Sequence, residues 1–366
     1  MLKEKSVRYD PLTGEVFTPP QQIFVEITAR CNSACVHCSR DYGLPDAGRE
    51  PELPRAALER LMPWLHRARF VNLNGVGEPL LAKHFDWTVE QVGLGDAEIN
   101  FNTNGLLLHE ARCHKLIDAG VHSVAISIDG MESMDKVRGV SYEIVRERLL
   151  TLERVKRERG AVKPHIGIAY TLMRSNAGEL NRLLADLLPR VRVHAVHVQP
   201  LIVFYETLRG ENIYAGVPVD AVIGEARRLC TQYQTELILF RSQFVEDERV
   251  EDRLALIHQL GPHSEQLGCS DPFFEVKVRV NGQVDACSFG READGNVLTT
   301  DLGEIWNSEA YRRLRLDLLA KRYLGRCTGC PYIHGGLQNQ ETPLRIGVEH
   351  SRADRFRGDS TLGLAT

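Results

Sequence analysis

The sequence contains no apolar run long enough to span a lipid bilayer, and its N-terminal segment MLKEKSVRYDPLTGEVFTPP has no apolar stretch typical of a signal peptide. These absences argue against a membrane protein and favour a cytoplasmic location. The chain also lacks an excess of charge of either sign, since 45 basic residues stand against 49 acidic ones. Proteins whose main partner is nucleic acid are commonly strongly basic, so we expect neither nucleic acid nor a membrane as partner.

The nine cysteines are too unevenly spaced for a disulfide framework, and an odd number leaves one unpaired. Two isolated cysteines, Cys113 and Cys230, lie beside apolar residues in helical patterns, so we expect both to be buried in the core. The other seven form a group of three and a group of four, a distribution more typical of metal ligation than of packing. They are Cys31, Cys35 and Cys38, then Cys269, Cys287, Cys327 and Cys330.

From about residue 22 the sequence alternates short β-rich segments with helical patterns six times. Parallel strands need crossover connections, so this alternation predicts an α/β fold with helices outside a parallel sheet. Either an open doubly wound sheet or a partial (β/α)6 TIM-like barrel fits, and in both cases ligands bind at the carboxyl ends of the strands. The predicted strands are residues 22–29, 69–75, 97–105, 122–130, 165–173 and 193–201.

The pattern changes after about residue 240. The segment PFFEVKVRVNGQVDACSF predicts a β-hairpin, because Asn281-Gly282 is a strong turn signal, and residues 301–319 read as one helix. The tail beyond about residue 336 lacks periodicity. We therefore predict an N-terminal extension over 1–21, a core over 22–240, a smaller module over 241–335 and a tail over 336–366.

The first cysteine group has the spacing C-x3-C-x2-C and directly follows a predicted strand. Thiolates suit soft metal centres, and a cubane iron–sulfur cluster held by three cysteines leaves one iron open to a chelating small molecule. A zinc loop with a distant fourth ligand is the alternative.

At this point the sequence resembles the radical S-adenosylmethionine (SAM) superfamily, whose signature C-x3-C-x-Φ-C is matched by Cys31, Cys35, His37 and Cys38, with His37 at the aromatic position. The resemblance implies a partial barrel and a [4Fe–4S] cluster whose open iron binds SAM. It also implies cleavage of SAM to a 5′-deoxyadenosyl radical, which removes a hydrogen atom from the substrate. A non-enzymatic iron–sulfur or zinc scaffold is the alternative from another functional class.

Three later segments strengthen the resemblance, namely GVGEP at 75–79, NTNG at 102–105 and SIDG at 127–130 with Arg138 following. Each follows a predicted strand, so all three are expected at the same edge of the sheet as the cysteines. In the family these segments contact SAM, with Ser127 and Arg138 placed at its ribose and carboxylate. The implied SAM contacts are His37, Gly75, Gly77, Glu78, Asn104, Ser127, Asp129, Arg138 and Gln199.

The second cysteine group, with Gly282 five residues before Cys287, resembles the auxiliary-cluster region of the SPASM/Twitch subgroup. Because no further cysteine follows Cys330 in the sequence, the resemblance implies a Twitch-like module with four cysteines around one auxiliary [4Fe–4S] cluster. An all-cysteine zinc site is the alternative.

A fully ligated auxiliary cluster is suited to electron transfer, which favours a two-electron oxidation of an alcohol to a carbonyl. The core begins near residue 22 and leaves no room for a peptide-recognition domain, so we expect a small polar substrate: a sugar, aminocyclitol or nucleoside in natural-product biosynthesis. Peptide or protein side-chain modification is the alternative, as are radical dehydration, decarboxylation and epimerisation. An external one-electron donor such as flavodoxin or ferredoxin is implied. The candidate substrate contacts are Tyr205, Glu206 and Tyr214.

Overall fold

The computed structural model describes residues 7–39, 52–203, 205–213, 217–239, 269–287 and 292–329. Its strands form one sheet of ten in the order β10-β9-β8-β1-β2-β3-β4-β5-β6-β7. The strands are β1 Gln22–Val25, β2 Phe70–Asn72, β3 Glu98–Thr103, β4 Ser123–Ser127, β5 His165–Leu172, β6 Val193–Pro200, β7 Glu236–Leu239, β8 Glu275–Val278, β9 Gln283–Asp285 and β10 Glu292–Asn296.

Strands β1 to β7 are parallel and lie side by side in chain order. This open, barrel-like parallel sheet confirms the α/β prediction and all six predicted strands, each somewhat shorter than its apolar pattern. Strand β7 is an addition that the sequence did not predict. The helices are α1 Arg55–Leu65, α2 Phe85–Val92, α3 Glu110–Asp118, α4 Met134–Arg138, α5 Tyr142–Glu158, α6 Leu180–Leu187, α7 Val219–Gln232, α8 Asp271–Phe274, α9 Leu302–Trp306 and α10 Glu309–Leu319.

The helices begin and end where local chemistry predicts. Ser141 caps α5 by accepting a hydrogen bond from the backbone N–H of Ile144, and Gly160 follows the helix with a φ of 60°. Most apolar side chains of the helices pack on the sheet in one large core, in which Cys113 and Cys230 are buried as expected. Within the described residues, no helix is both long and apolar enough to cross a bilayer.

The C-terminal module continues the core sheet. Strand β8 pairs in parallel with β1, and β9 and β10 follow in antiparallel order. The predicted hairpin is present between β8 and β9, and Gly282 in its turn has a φ of 81°, which favours glycine. The first core strand therefore has a neighbour from the module on one side and β2 on the other.

The predicted single helix over 301–319 is wrong, because α9 and α10 are separate helices. The side chain of Asn307 breaks the helix by pairing with Val16, accepting from its backbone N–H at 2.9 Å and donating to its carbonyl at 2.9 Å. Ser308 then caps α10. Trp306 donates its indole N–H to the carbonyl of Thr18 at 3.0 Å. The N-terminal segment thus docks on the C-terminal module.

Candidate functional site

A cavity of about 360 Å³ opens at the carboxyl edge of the parallel sheet. Its walls are the segments that follow β1, β2, β3, β4 and β6, as expected for ligand sites in parallel α/β folds. The sequence-predicted residues that line it are Cys31, Cys35, His37, Cys38, Gly75, Gly77, Glu78, Asn104, Ser127, Arg138 and Gln199. The topology therefore brings the three thiols and the later motifs to one place.

The cysteine loop is held against the end of α4. The backbone N–H of Ala34 donates to the carbonyl of Arg138 at 3.2 Å, and that of Val36 donates to the carbonyl of Val137 at 2.9 Å. The hydroxyl of Ser33 donates to the same Arg138 carbonyl at 2.6 Å. The loop thereby uses the unpaired carbonyls of a helix C-terminus, which need external donors.

Glu78 joins three loops beneath the cavity. Its carboxylate accepts hydrogen bonds from the Thr103 hydroxyl at 2.7 Å and from the backbone N–H groups of Asn104 at 2.7 Å and Leu80 at 3.2 Å. Its own N–H donates to the carbonyl of Arg30 in the cysteine loop at 2.7 Å. Burial raises the pKa of Glu78, while these donors oppose the shift. The described contacts therefore give Glu78 a role in fixing the loops.

Gly77 lies where two of these loops cross. A Cβ atom at this position would lie 2.2 Å from the carbonyl oxygen of Thr28 and 2.7 Å from that of Arg30. Only glycine allows the segment after β2 to pack directly on the backbone of the cysteine loop. This close approach explains the glycine of the GVGEP motif in physical terms.

Asp129, Arg138 and His37 form a buried polar cluster behind the cysteine loop. The Nε of Arg138 lies 2.6 Å from Asp129 Oδ2, and His37 Nε2 lies 3.5 Å from the same oxygen. Burial lowers the pKa of His37 to about 4 despite the opposing effect of Asp129, so the imidazole is neutral at pH 7. Asp129 is fully buried and does not line the cavity. Asp129 therefore holds Arg138 in place, and its position does not support the predicted direct contact with SAM.

Sequence reasoning missed the groups that support this cluster. Asp129 Oδ1 accepts from the backbone N–H of Thr171 at 2.6 Å, and Asn176 donates its amide to the carbonyls of Asp129 and Thr171. Glu179 accepts from the backbone N–H of Met131 at 2.5 Å. Thr171 lies at the end of β5, Asn176 follows that strand and Glu179 directly precedes α6, at positions where the sequence carries no family motif.

The three predicted substrate contacts have different outcomes in the structure. The hydroxyl of Tyr205 donates to the carbonyl of Cys38 at 2.8 Å, which makes it a support of the cysteine loop. The side chain of Glu206 is 74% exposed, pairs with Arg209 and does not line the cavity, so its placement does not support the prediction of a substrate contact. Tyr214 lies outside the described residues.

The second cysteine group surrounds the hairpin of the module in sequence. Cys269 is buried just before α8, Cys287 follows β9, and Cys327 lies in the 3₁₀ turn Gly325–Gly329. Cys330 lies outside the described residues. Its predicted role as the fourth ligand of the auxiliary cluster remains a prediction.

The donor set at the cavity fits an iron–sulfur cluster with an open iron. Three thiols line the cavity, and no fourth cysteine does so among the described residues. This is the donor set that a [4Fe–4S] cluster with one open iron would use. Burial raises the pKa of Cys31 to about 11, so its thiol would release a proton on binding a metal.

Comparison with known families agrees with this arrangement. Residues 25–187 match the radical SAM superfamily, and residues 269–331 match an iron–sulfur cluster-binding domain, SPASM. The chain belongs to the radical SAM superfamily. It is a radical SAM enzyme with a C-terminal SPASM-type domain, and its cofactors are SAM, the SAM-binding [4Fe–4S] cluster and an auxiliary iron–sulfur cluster.

Two curated relatives match most of the chain. The tungsten-containing aldehyde ferredoxin oxidoreductase cofactor-modifying protein of Pyrococcus furiosus is 26% identical over 84% of this chain and 86% of its own length. The PqqA peptide cyclase of Bradyrhizobium diazoefficiens is 25% identical over 83% of this chain and 77% of its own length. Among solved structures, Streptococcus suis SuiB bound to precursor peptide SuiA has a TM-score of 0.61 at 13% identity, covering 87% of this chain and 72% of that one, which shows a shared fold.

Proposed function

We propose that this radical SAM enzyme modifies a side chain of a peptide or protein. The observation that carries the proposal is the similarity, over 83% of the chain, to a PqqA peptide cyclase. The sequence alone favours alcohol oxidation on a small polar metabolite, with peptide modification as the alternative. The two relatives described above are named for a peptide and for a cofactor, and neither name is that of an enzyme acting on a sugar, aminocyclitol or nucleoside, so the alternative becomes the main proposal.

The size of the cavity supports a substrate that enters only in part. Small-molecule sites typically enclose about 300–1,000 Å³. The cavity here, at about 360 Å³, lies at the lower end of that range and has to hold SAM as well. Little room remains for a second complete metabolite, whereas a peptide needs to insert only one side chain through the open mouth.

The residues of the chain perform three tasks in this proposal. Cys31, Cys35 and Cys38 hold the cluster, and the walls formed by Asn104 and Ser127 offer amide and hydroxyl groups to SAM. When bound, cluster and SAM together supply the 5′-deoxyadenosyl radical that removes a hydrogen atom from the substrate. The protein orients the reacting C–H bond and excludes water.

The four cysteines of the module are proposed to hold one auxiliary [4Fe–4S] cluster, which would take up the electron that the substrate radical releases when it is oxidised. Cys269, Cys287 and Cys327 lie next to or within elements of the module, and the module is joined to the core sheet by the pairing of β8 with β1. This arrangement supports a constant separation between the two cluster sites. Iron analysis of the reconstituted protein tests the ligation. About eight iron atoms per chain are expected for two [4Fe–4S] clusters, and about four with one zinc would refute an auxiliary iron–sulfur cluster.

The substrate class is tested with the reconstituted holoenzyme under anaerobic conditions, with SAM and dithionite. Peptides encoded by short reading frames beside the gene form one panel, and sugars, aminocyclitols and nucleosides form the other. We expect a peptide to raise 5′-deoxyadenosine formation above the substrate-free level. Mass spectrometry should show that the modified peptide has lost mass corresponding to hydrogen atoms. Stimulation by members of the second panel alone would overturn the proposal.

A matched pair of variants tests whether activity depends on the first cysteine group or on the loss of any cysteine. Cys35→Ala removes a thiol that lines the cavity, while Cys230→Ala changes a buried cysteine in α7 outside both groups. We expect no 5′-deoxyadenosine from Cys35→Ala and near-parental amounts from Cys230→Ala. Equal activity of the two variants would contradict the assignment of the first cysteine group.

A further inference from the structure

Arg138 contacts one of the cluster cysteines directly. Its Nη1 lies 3.7 Å from Cys35 Sγ, within hydrogen-bond distance for sulfur, and its side chain lines the same cavity. The hydroxyl of Ser33 lies 3.4 Å from the same sulfur. Cys35 is therefore the thiol to which the structure directs a cationic donor.

The guanidinium is held in this position from behind. Its Nε lies 2.6 Å from Asp129 Oδ2, the carboxylate is fully buried, and the Arg138 side chain is only 11% exposed. The other oxygen of Asp129 is fixed by the backbone N–H of Thr171. The Arg138 backbone carbonyl also accepts from the cysteine loop, through Ser33 and Ala34. Arg138 therefore contacts the cysteine loop through both its backbone carbonyl and its guanidinium.

A donor with this charge and direction affects the two oxidation states of a cluster unequally. One-electron reduction adds a negative charge to the cluster and its sulfur ligands. A cation that donates to a ligand sulfur stabilises the reduced form more than the oxidised form. Asp129 contacts the guanidinium at Nε, whereas Cys35 meets Nη1, so the sulfur contacts the cationic member of the ion pair.

We propose that Arg138, positioned by Asp129, donates a charge-assisted N–H···S hydrogen bond to Cys35 and raises the reduction potential of the SAM-binding cluster. This role is separate from the contact with the SAM carboxylate that the family resemblance implies, because it operates before SAM binds. It is also independent of the substrate class.

The test is a redox titration of the holoenzyme without SAM, followed by electron paramagnetic resonance. The signal that changes on later addition of SAM identifies the SAM-binding cluster. In Arg138→Met we expect the equilibrium constant for its one-electron reduction to fall about tenfold, which lowers the midpoint potential by about 59 mV. The signal of the auxiliary cluster should keep its parental midpoint.

The control is Arg182→Met, which removes an exposed arginine paired with Glu132 and should leave both midpoints unchanged. Arg138→Gln serves as a second variant, because it is neutral but keeps an N–H donor, and a fall about half as large is expected. An unchanged midpoint in either variant with parental iron content overturns the proposal. Loss of the cluster in both variants would assign Arg138 to cluster assembly and would overturn it as well.

Discussion

Replacing Arg315 by methionine removes a buried cation that joins three parts of the chain. The side chain is fully buried in α10. Its Nε donates to the carbonyl of Pro272 at 2.8 Å, Nη2 to that of Trp306 at 2.8 Å, and Nη1 to the carbonyl of Gly14 at 3.1 Å and the amide oxygen of Asn307 at 3.0 Å. The guanidinium also lies 4.4 Å from the centre of the Trp306 ring.

The cost follows from the acceptors that the substitution leaves without a donor. Burial lowers the pKa of Arg315 to about 10, so the group is still charged at neutral pH. Methionine has a similar length but cannot donate. The carbonyl oxygens of Gly14, Pro272 and Trp306 then lose a donor at about 1 kcal/mol each, or about 3 kcal/mol in all, while Asn307 Oδ1 keeps the N–H of Val16. For a chain of this size, about 1.3 °C per kcal/mol gives a fall in melting temperature of about 4 °C.

The assay is thermal unfolding of the anaerobic holoenzyme by circular dichroism, with Arg313→Met as control. Arg313 is exposed on the same helix, so its loss should change the melting temperature little. Arg315→Lys should give an intermediate value, because an ammonium reaches some of the oxygens but not all. A melting temperature of Arg315→Met equal to that of the control would refute the reasoning.

Gly77→Ala places a methyl group against the Thr28 carbonyl, and we expect at least a tenfold loss of SAM affinity by anaerobic calorimetry, with unchanged circular dichroism. Glu78→Gln turns a carboxylate that accepts three donors into an amide, so at least one donor loses its acceptor; urea unfolding should show a loss of about 1–3 kcal/mol. Burial, with His194 and His122 beside it, lowers the pKa of His165 to about 4 from 6.5. Between these two pH values the unfolded chain therefore binds more protons at this histidine than the folded chain, and the free energy of unfolding should fall as the pH falls from about 6.5 to about 4. His165→Phe should reduce the difference in urea midpoint between pH 7 and pH 5.

The parallel core and the cysteine loop were predictable because both depend on local sequence. Apolar segments of seven to nine residues followed by helical patterns give the βα units, and the three cysteines follow the first predicted strand directly. Parallel topology then places the segments after each strand at one edge. The convergence of Cys31, Gly77, Asn104 and Ser127 on one cavity follows from these facts alone.

The remaining features depend on residues far apart in the sequence. Strand β7 has only four residues, and it is identified as a strand by its pairing with β6 rather than by a pattern in its own sequence. The break after α9 comes from Asn307 pairing with Val16, which no helical pattern reveals. Asp129 and Glu78 were recognised as motif residues, yet their partners were not predictable, because hydrogen bonds between loops depend on tertiary packing.

The pairing of β8 with β1 has a consequence for any attempt to divide the protein. Four residues of β1, Gln22–Val25, are in register with Glu275–Val278, and the ion pair of Lys277 with Glu26 closes the end of this ladder. A fragment ending after β7 would leave β1 as an open edge with a row of unsatisfied backbone groups, a template for aggregation. The module that carries the second cysteine group therefore also covers the edge of the core sheet, and we expect the radical SAM core of this chain to aggregate when it is expressed without the module.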